Sequence, residues 1–406
     1  MEPKIRTALP DRLRRSLHFL LVAIQFLAIS AFAAPKRLIV ALDGVSYRDV
    51  QALQAGVTTT NWLGRKIHRQ AFQNYFPVSR NVSTFPSVSD VAWTDILGDH
   101  PLPGYQRTYF DTTANLEVSQ NGVTSTMQYE QQMTWQLQNG FRRAEGYVFP
   151  GKAFKYEVRE LVKNFLANTN VAENFYGLIR ATDDAQHVSG NIFPLLCDLD
   201  QKLQQLRATY KAREGRELEI LILSDHGNNH AGSGKRVPIR SFLKKSGYQI
   251  TSAIHGSKDI VLPTAGMESW VEIHNAPTET EKLTTLLSRM PGTDVLTAQD
   301  PNDANHFIVM NAKGERARIE WNAFKNSFRY VIESGDPLNY QPVIATLAAK
   351  KQLDAAGFAS ADAWMAATLG HRYPLALERI VCGHTRNTQN PATILISLSN
   401  DYVHAG

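Results

Sequence analysis

Three short apolar runs set the frame of this chain. Leu38-Ile39-Val40-Ala41-Leu42, Phe175-Tyr176-Gly177-Leu178-Ile179 and Leu218-Glu219-Ile220-Leu221-Ile222-Leu223 each read as a strand. Between and around them the apolar spacing changes to that of helices. Val88, Val91, Ala92 and Ile96 give one apolar face, with Pro86 suited to its first turn. Residues 155–166 read as a second helix. Leu195, Leu196, Leu199, Leu203 and Leu206 mark a third across 191–213. This strand–helix–strand rhythm predicts an α/β fold with a mostly parallel sheet and crossover helices.

The pattern shifts after about residue 247. Val271-Glu272-Ile273 reads as a strand, 280–290 as a helix, and 306–310 with 317–321 as a hairpin around Gly314. That predicts a smaller α/β cap or insertion over 247–370. Residues 371–406 then return to the core, with 393–398 as a last core strand. Residues 34–246 are expected to be the core itself. An insertion at about 105–150, rich in Gln, Thr, Tyr and Gly, is expected to lie over its site.

Composition narrows the class. The chain has 406 residues, 43% apolar and 20% charged, enough for a full core. Its formal charge is +5, but Lys4, Arg6, Arg12, Arg14 and Arg15 against Glu2 and Asp11 place +3 of that in residues 1–33. The remaining +2 is too little to argue for a nucleic-acid partner on electrostatic grounds. The basic start, the apolar run over 19–34 and Ala31-Phe32-Ala33 read as a signal peptide over 1–33, cleaved near Ala33. The body is then exported to the periplasm or outside, with no stable membrane span after cleavage. An uncleaved leader would anchor it, since the run approaches the roughly 17 residues that can span a bilayer. Cys197 and Cys382 lack the paired spacing of a structural zinc site and read as small buried residues.

The chemistry gathers at the ends of these elements. Asp43 closes the first strand, Asp225-His226-Gly227 follows the third through Ser224, and Asp183 with His187 follows the second four residues apart. Carboxylates and imidazoles at strand ends are what a metal site on an α/β sheet requires. Asp43, Asp225 and His226 suit one metal, and Asp183 with His187 part of a second. Thr84, before the first helix, reads as a nucleophile whose alkoxide a bound cation would favour. Ser83, Ser87 and Ser89 compete with it as helix caps, and the register of the nucleophile stays open between Thr84 and Ser89. His230, His371, His384 and His404 stay open as ligands. His68, His100, His255, His274 and His306 read as surface or locally hydrogen-bonded residues.

On Leu42-Asp43-Gly44, Thr84-Phe85-Pro86-Ser87, Asp183 with His187, and Ser224-Asp225-His226-Gly227, the chain resembles the alkaline phosphatase superfamily, in its nucleotide pyrophosphatase/phosphodiesterase-like branch. Gly98, Pro101 and Gly104 resemble that family's glycine–proline segment, with Pro103 where a histidine is usual. The resemblance implies a doubly wound sheet with helices on both faces and two divalent metal ions, zinc being expected. One would be held by Asp43, Thr84, Asp225 and His226, the other by Asp183, His187 and a further histidine. The family's last metal histidine, in a His-Gly pair, has no counterpart before Gly406. Truncation, substitution by His404 or another histidine, and a weakly held second metal are the alternatives. Neither cysteine has the context of a sulfatase. The expected activity is hydrolysis of a small-molecule phosphate ester, diester or pyrophosphate favoured, through a covalent threonyl intermediate. The rivals are a membrane-surface phospho-group transferase and a metal-binding pseudoenzyme.

Overall fold

The computed structural model describes residues 36–405 except 62, 121–126, 169–172, 229–233 and 265. The leader expected at 1–33 and His230 lie outside the described residues. Strand β1 (Arg37–Leu42) is the centre of a three-stranded parallel sheet, between β2 (Asn174–Ile179) and β3 (Glu219–Ser224). The strands end level, because Leu42 stands opposite both Ile179 and Ser224. The next residue of each strand, Asp43, Arg180 and Asp225, therefore leaves the sheet at the same carboxyl edge. That edge is where open α/β sheets place their ligands.

Helices α1 (Ser89–Leu97), α2 (Pro150–Ala167), α3 (Ala181–Ser189) and α4 (Phe193–Glu214) surround this sheet. The period-two alternation of strands decides which face meets which helix. Leu38, Val40 and Leu42 pack with Phe154 and Leu161 of α2 and Leu196 and Leu203 of α4. Ala41 and Leu178 face the other way, onto Trp93 of α1. Gly177 in β2 lets α2 lie close, since a Cβ there would sit 2.0 Å from Leu161 Cδ1. α4 ends at Gly215, whose φ of +65° suits the left-handed cap.

The rest of the chain builds a second, larger sheet. It contains β4 (Trp270–Asn275), β5 (Thr293–Asp300), β6 (Asp303–Asn311), β7 (Arg316–Asn322), β8 (Ser327–Ser334) and β9 (Ile394–Leu398). Their order is β8-β7-β6-β5-β9-β4, every pair antiparallel, and three short strands bring the sheet to nine. The helix Thr280–Ser288 covers one face through Leu283 and Leu287. Helix α5 (Ala376–Thr385) covers the other through Leu377, Ile380 and Val381. The hairpin expected at Gly314 is present, with φ +77° at that glycine.

Two expectations need correction. The fold is mixed α/β with a central parallel sheet flanked by helices, but the C-terminal half is a nine-stranded, mostly antiparallel sheet rather than a small cap. β9, expected to rejoin the first sheet, lies between β4 and β5 instead. Four of its five residues are buried, so its apolar run suits any strand covered on both faces and does not choose a sheet. The 105–150 insertion also does more than overlie a site: Tyr105, Phe110, Tyr129 and the Glu130–Arg143 ion pair are buried within it. No described helix is long and apolar enough to cross a membrane.

Candidate metal centre

The level strand ends bring acids from distant parts of the chain into one cluster. Asp43 is 5% exposed and Asp225 2%. Among the described residues, Asp43, Asp183 and His226 each bring one ligand atom to within 4.8 Å of the others. The turn after β1 makes this possible. Gly44 adopts φ +71°, and its backbone passes so near Asp183 that a Cβ would lie 2.5 Å from Oδ1. Gly44 N–H donates to Asp225 Oδ1 at 3.1 Å, and Val45 N–H donates to Ser224 Oγ at 2.9 Å. The Thr182 hydroxyl donates to the Asp43 carbonyl at 2.6 Å, tying the start of α3 to the same turn.

His226 is held by its far side. Its Nδ1 lies 2.8 Å from the Gly227 carbonyl, which only accepts, so Nδ1 carries the proton. Nε2 is thereby turned toward Asp225 Oδ2 at 3.4 Å and Asp43 Oδ1 at 3.6 Å. On α3, His187 Nε2 and Asp183 Oδ2 meet at 3.0 Å, as four-residue helical spacing requires. Asn228 Nδ2 reaches Asp183 Oδ1 at 3.4 Å.

Ser89 carries the hydroxyl that meets the cluster. Its Oγ donates to Asp43 Oδ1 at 3.0 Å and lies 3.0 Å from His226 Nε2. It is the first residue of α1, whose N-cap, Val88, has no side-chain bond to the first turn. Thr84 is placed otherwise. Its hydroxyl donates to the Pro86 carbonyl at 3.0 Å, and its own carbonyl accepts from Arg379 at 2.8 Å.

The electrostatics are those of crowded, buried anions. Burial, then repulsion from Asp225 and Asp183, holds the Asp43 carboxyl well above the usual range. Burial also raises Asp225, against the pull of His226. Burial disfavours the imidazolium of His226, yet Asp225 and Asp183 push it up. Asp225 Oδ2 is buried with no hydrogen-bond partner among the described residues. An orphaned buried carboxylate oxygen beside two further acids, with an imidazole nitrogen oriented by a backbone carbonyl, is a donor set that fits a divalent cation. Arg180, directly after β2, adds a buried positive charge that Asp43, Asp184 and Glu130 surround.

Among the described residues, the remaining candidate histidines lie outside this ligand group, and the buried Nε2 of His404 has no hydrogen-bond partner. His384 contacts Thr297 Oγ1 and the Ala392 carbonyl, and His371 Nδ1 accepts from the Tyr373 N–H. His404 lies in the strand Tyr402–Ala405, opposite Glu268. His274, read as a surface or locally bonded residue, is 2% exposed against Phe110. Sequence reasoning passed over Arg180, although it follows an apolar strand just as Asp43 and Asp225 nearly do. It preferred Thr84 as nucleophile and left the register open to Ser89. The signal for Ser89 was its position at the first turn of the apolar helical face.

Family models, curated proteins and solved structures gave no match to this chain. Fold and site together define a mixed α/β protein with a candidate cation site at the carboxyl edge of its parallel sheet.

Proposed function

We propose that this chain is a zinc-dependent hydrolase of small phosphate esters, diesters or pyrophosphates favoured, with Ser89 rather than Thr84 as its nucleophile. The observation that carries the reading is the Ser89 hydroxyl, 3.0 Å from both Asp43 Oδ1 and His226 Nε2, at the start of a helix. Asp43, Asp183, Asp225 and His226 would hold one cation. With His371 and His384 engaged elsewhere and His404 outside the ligand group, the second site implied by Asp183 and His187 would be weak.

A bound zinc ion would supply Lewis-acid charge that favours the serine alkoxide and offsets the phosphoryl oxygens. The chain's own residues do the rest. Asp43 orients Ser89 Oγ, and the first-turn N–H groups of α1 face the position of the phosphoryl oxygens. Ser89 Oγ attacks phosphorus in line, the Ser89 O–P bond forms, and the ester P–O bond breaks with the alcohol leaving on the opposite side. Water then cleaves the phosphoserine and releases the phosphoryl product.

The test is zinc content with bis(p-nitrophenyl) phosphate hydrolysis on protein beginning at Ala34. Ser89→Ala is expected to lower zinc-dependent turnover by at least about 10³-fold, and Thr84→Ala by no more than about threefold. The reverse ranking would return the nucleophile to Thr84. Bound zinc without turnover on mono- or diesters would make the chain a metal-binding pseudoenzyme.

A further inference from the structure

We propose that helix α5 of the antiparallel unit is the positioning device for Ser89, gripping the segment 84–87 that leads into α1. This rests on the reading of Ser89 as nucleophile. The grip has three points. Arg379 Nη2 donates to the Thr84 carbonyl at 2.8 Å and lies 3.3 Å from Ser87 Oγ. Asn387, two residues past α5, donates from Nδ2 to the Phe85 carbonyl at 3.1 Å. Between them, Gly383 comes so close that a Cβ would lie 2.6 Å from the Phe85 oxygen.

The gripped segment is a closed unit. Ser87 Oγ donates to the Thr84 carbonyl at 2.8 Å, and Thr84 Oγ1 donates to the Pro86 carbonyl at 3.0 Å. The Phe85 ring packs against both the core under α5 and the cluster of Val91, Tyr105 and Trp270. Ser89 follows Ser87 by two residues, so it is pinned from two sides. The parallel unit holds its hydroxyl through Asp43 and His226, and the antiparallel unit holds its backbone through α5. Arg379 meets carbonyls and hydroxyls here, and its buried Nε has no partner among the described residues. A guanidinium spent on backbone carbonyls suits a part whose task is to fix a loop. This assigns a role to the C-terminal half: Arg379, Gly383 and Asn387 are positioning residues for a nucleophile they do not touch. A displacement of about 1 Å at a reacting atom costs on the order of 10²-fold in rate.

The test compares Arg379→Met, Arg379→Lys and Gly383→Ala with the parent in the full chain from Ala34. Zinc per chain, kcat and KM for bis(p-nitrophenyl) phosphate, and amide hydrogen exchange over 84–90 are measured. Arg379→Met is expected to lower kcat about 10²-fold with zinc content unchanged and KM within about twofold. Exchange over 84–90 should quicken while β1 stays protected. Arg379→Lys should recover about a tenth of the parent kcat, and Gly383→Ala should match the Met variant by pushing on the Phe85 carbonyl. If Ser89→Ala abolishes turnover but Arg379→Met and Gly383→Ala leave kcat and exchange unaltered, the positioning role is wrong. If the parent shows no turnover, the functional reading has failed, and exchange over 84–90 decides whether α5 grips the segment. Should Arg379→Met not fold, Gly383→Ala and Asn387→Ala decide the same question.

Discussion

Acid should loosen the grip of α5 through His384. This residue is 2% exposed, with Nδ1 donating to the Ala392 carbonyl at 3.0 Å and Nε2 2.9 Å from Thr297 Oγ1. Burial pushes its pKa from 6.5 down to about 4, against a small opposing pull from the Ala392 carbonyl. The folded value lies below the unfolded one, so the unfolded chain binds the extra proton between those limits. Stability from the neutral ring is therefore complete above about pH 6.5 and is lost as pH falls toward about 4. At pH 5 the unfolded imidazole lies about 1.5 units below its pKa, which makes the loss about 2 kcal/mol. Buried Glu157 and Asp184, both raised to about 7 by burial, titrate in the opposite sense and add stability on acidification. A difference measurement cancels them. Urea unfolding of the parent and of His384→Gln should be compared at pH 7.5 and pH 5. The parent's advantage should shrink by about 2 kcal/mol between the two. An advantage constant to within about 0.5 kcal/mol would show that His384 is not held neutral by its site.

Other perturbations test the frame and the centre. Gly177→Ala drives a methyl into Leu161 and should cost about 1–3 kcal/mol, read from the urea midpoint; an unchanged midpoint would mean that α2 is free to retreat. Free zinc at about 100 times its Kd should add about 2.7 kcal/mol to the parent, reversed by a chelator; a zinc-insensitive melt would remove the cation from the centre. Asp43→Asn should weaken zinc binding while raising the melting temperature of the zinc-free protein, by relieving repulsion from Asp225 and Asp183. Loss of both together would mark Asp43 as a packing residue.

The sequence was most readable where period and punctuation agreed. β1, β2 and β3 stood out as apolar runs, and α4 as a leucine stripe, because a core covered on both sides writes itself in continuous or helical repeats. The acids at the ends of the first and third strands were legible for the same reason: nothing in packing calls for Asp225 and His226 side by side. What failed were questions of partnership. β9 is as apolar as β1, and hydropathy carries no information on which sheet a buried strand joins. The register of the proposed nucleophile, Thr84 or Ser89, stayed open in the sequence because it turns on five residues of loop. The course of that loop depends on Arg379 and Asn387, about 300 positions away, which no local pattern links to it.

The energetics of the centre explain why these two units belong together. Level strand ends force Asp43 and Asp225 into mutual repulsion within a buried corner, with Asp183 brought up behind Gly44. Such an arrangement opposes folding, since buried charges of one sign lose hydration and repel one another, and the hydrogen bonds they accept restore only part of that. Arg180 and His226 offset only part of it, and Asp225 Oδ2 is left with no hydrogen bond among the described residues. A sheet edge with no task would be capped with neutral turn residues at lower cost. Strain of this kind persists where the surrounding structure over-determines it. Here the over-determination comes from both halves of the chain: three parallel strands fix the acids, and α5 fixes the segment that carries Ser89 into them. The charge balance of the corner and the grip on the 84–87 segment point the same way, toward a cation held against a hydroxyl that is not free to drift.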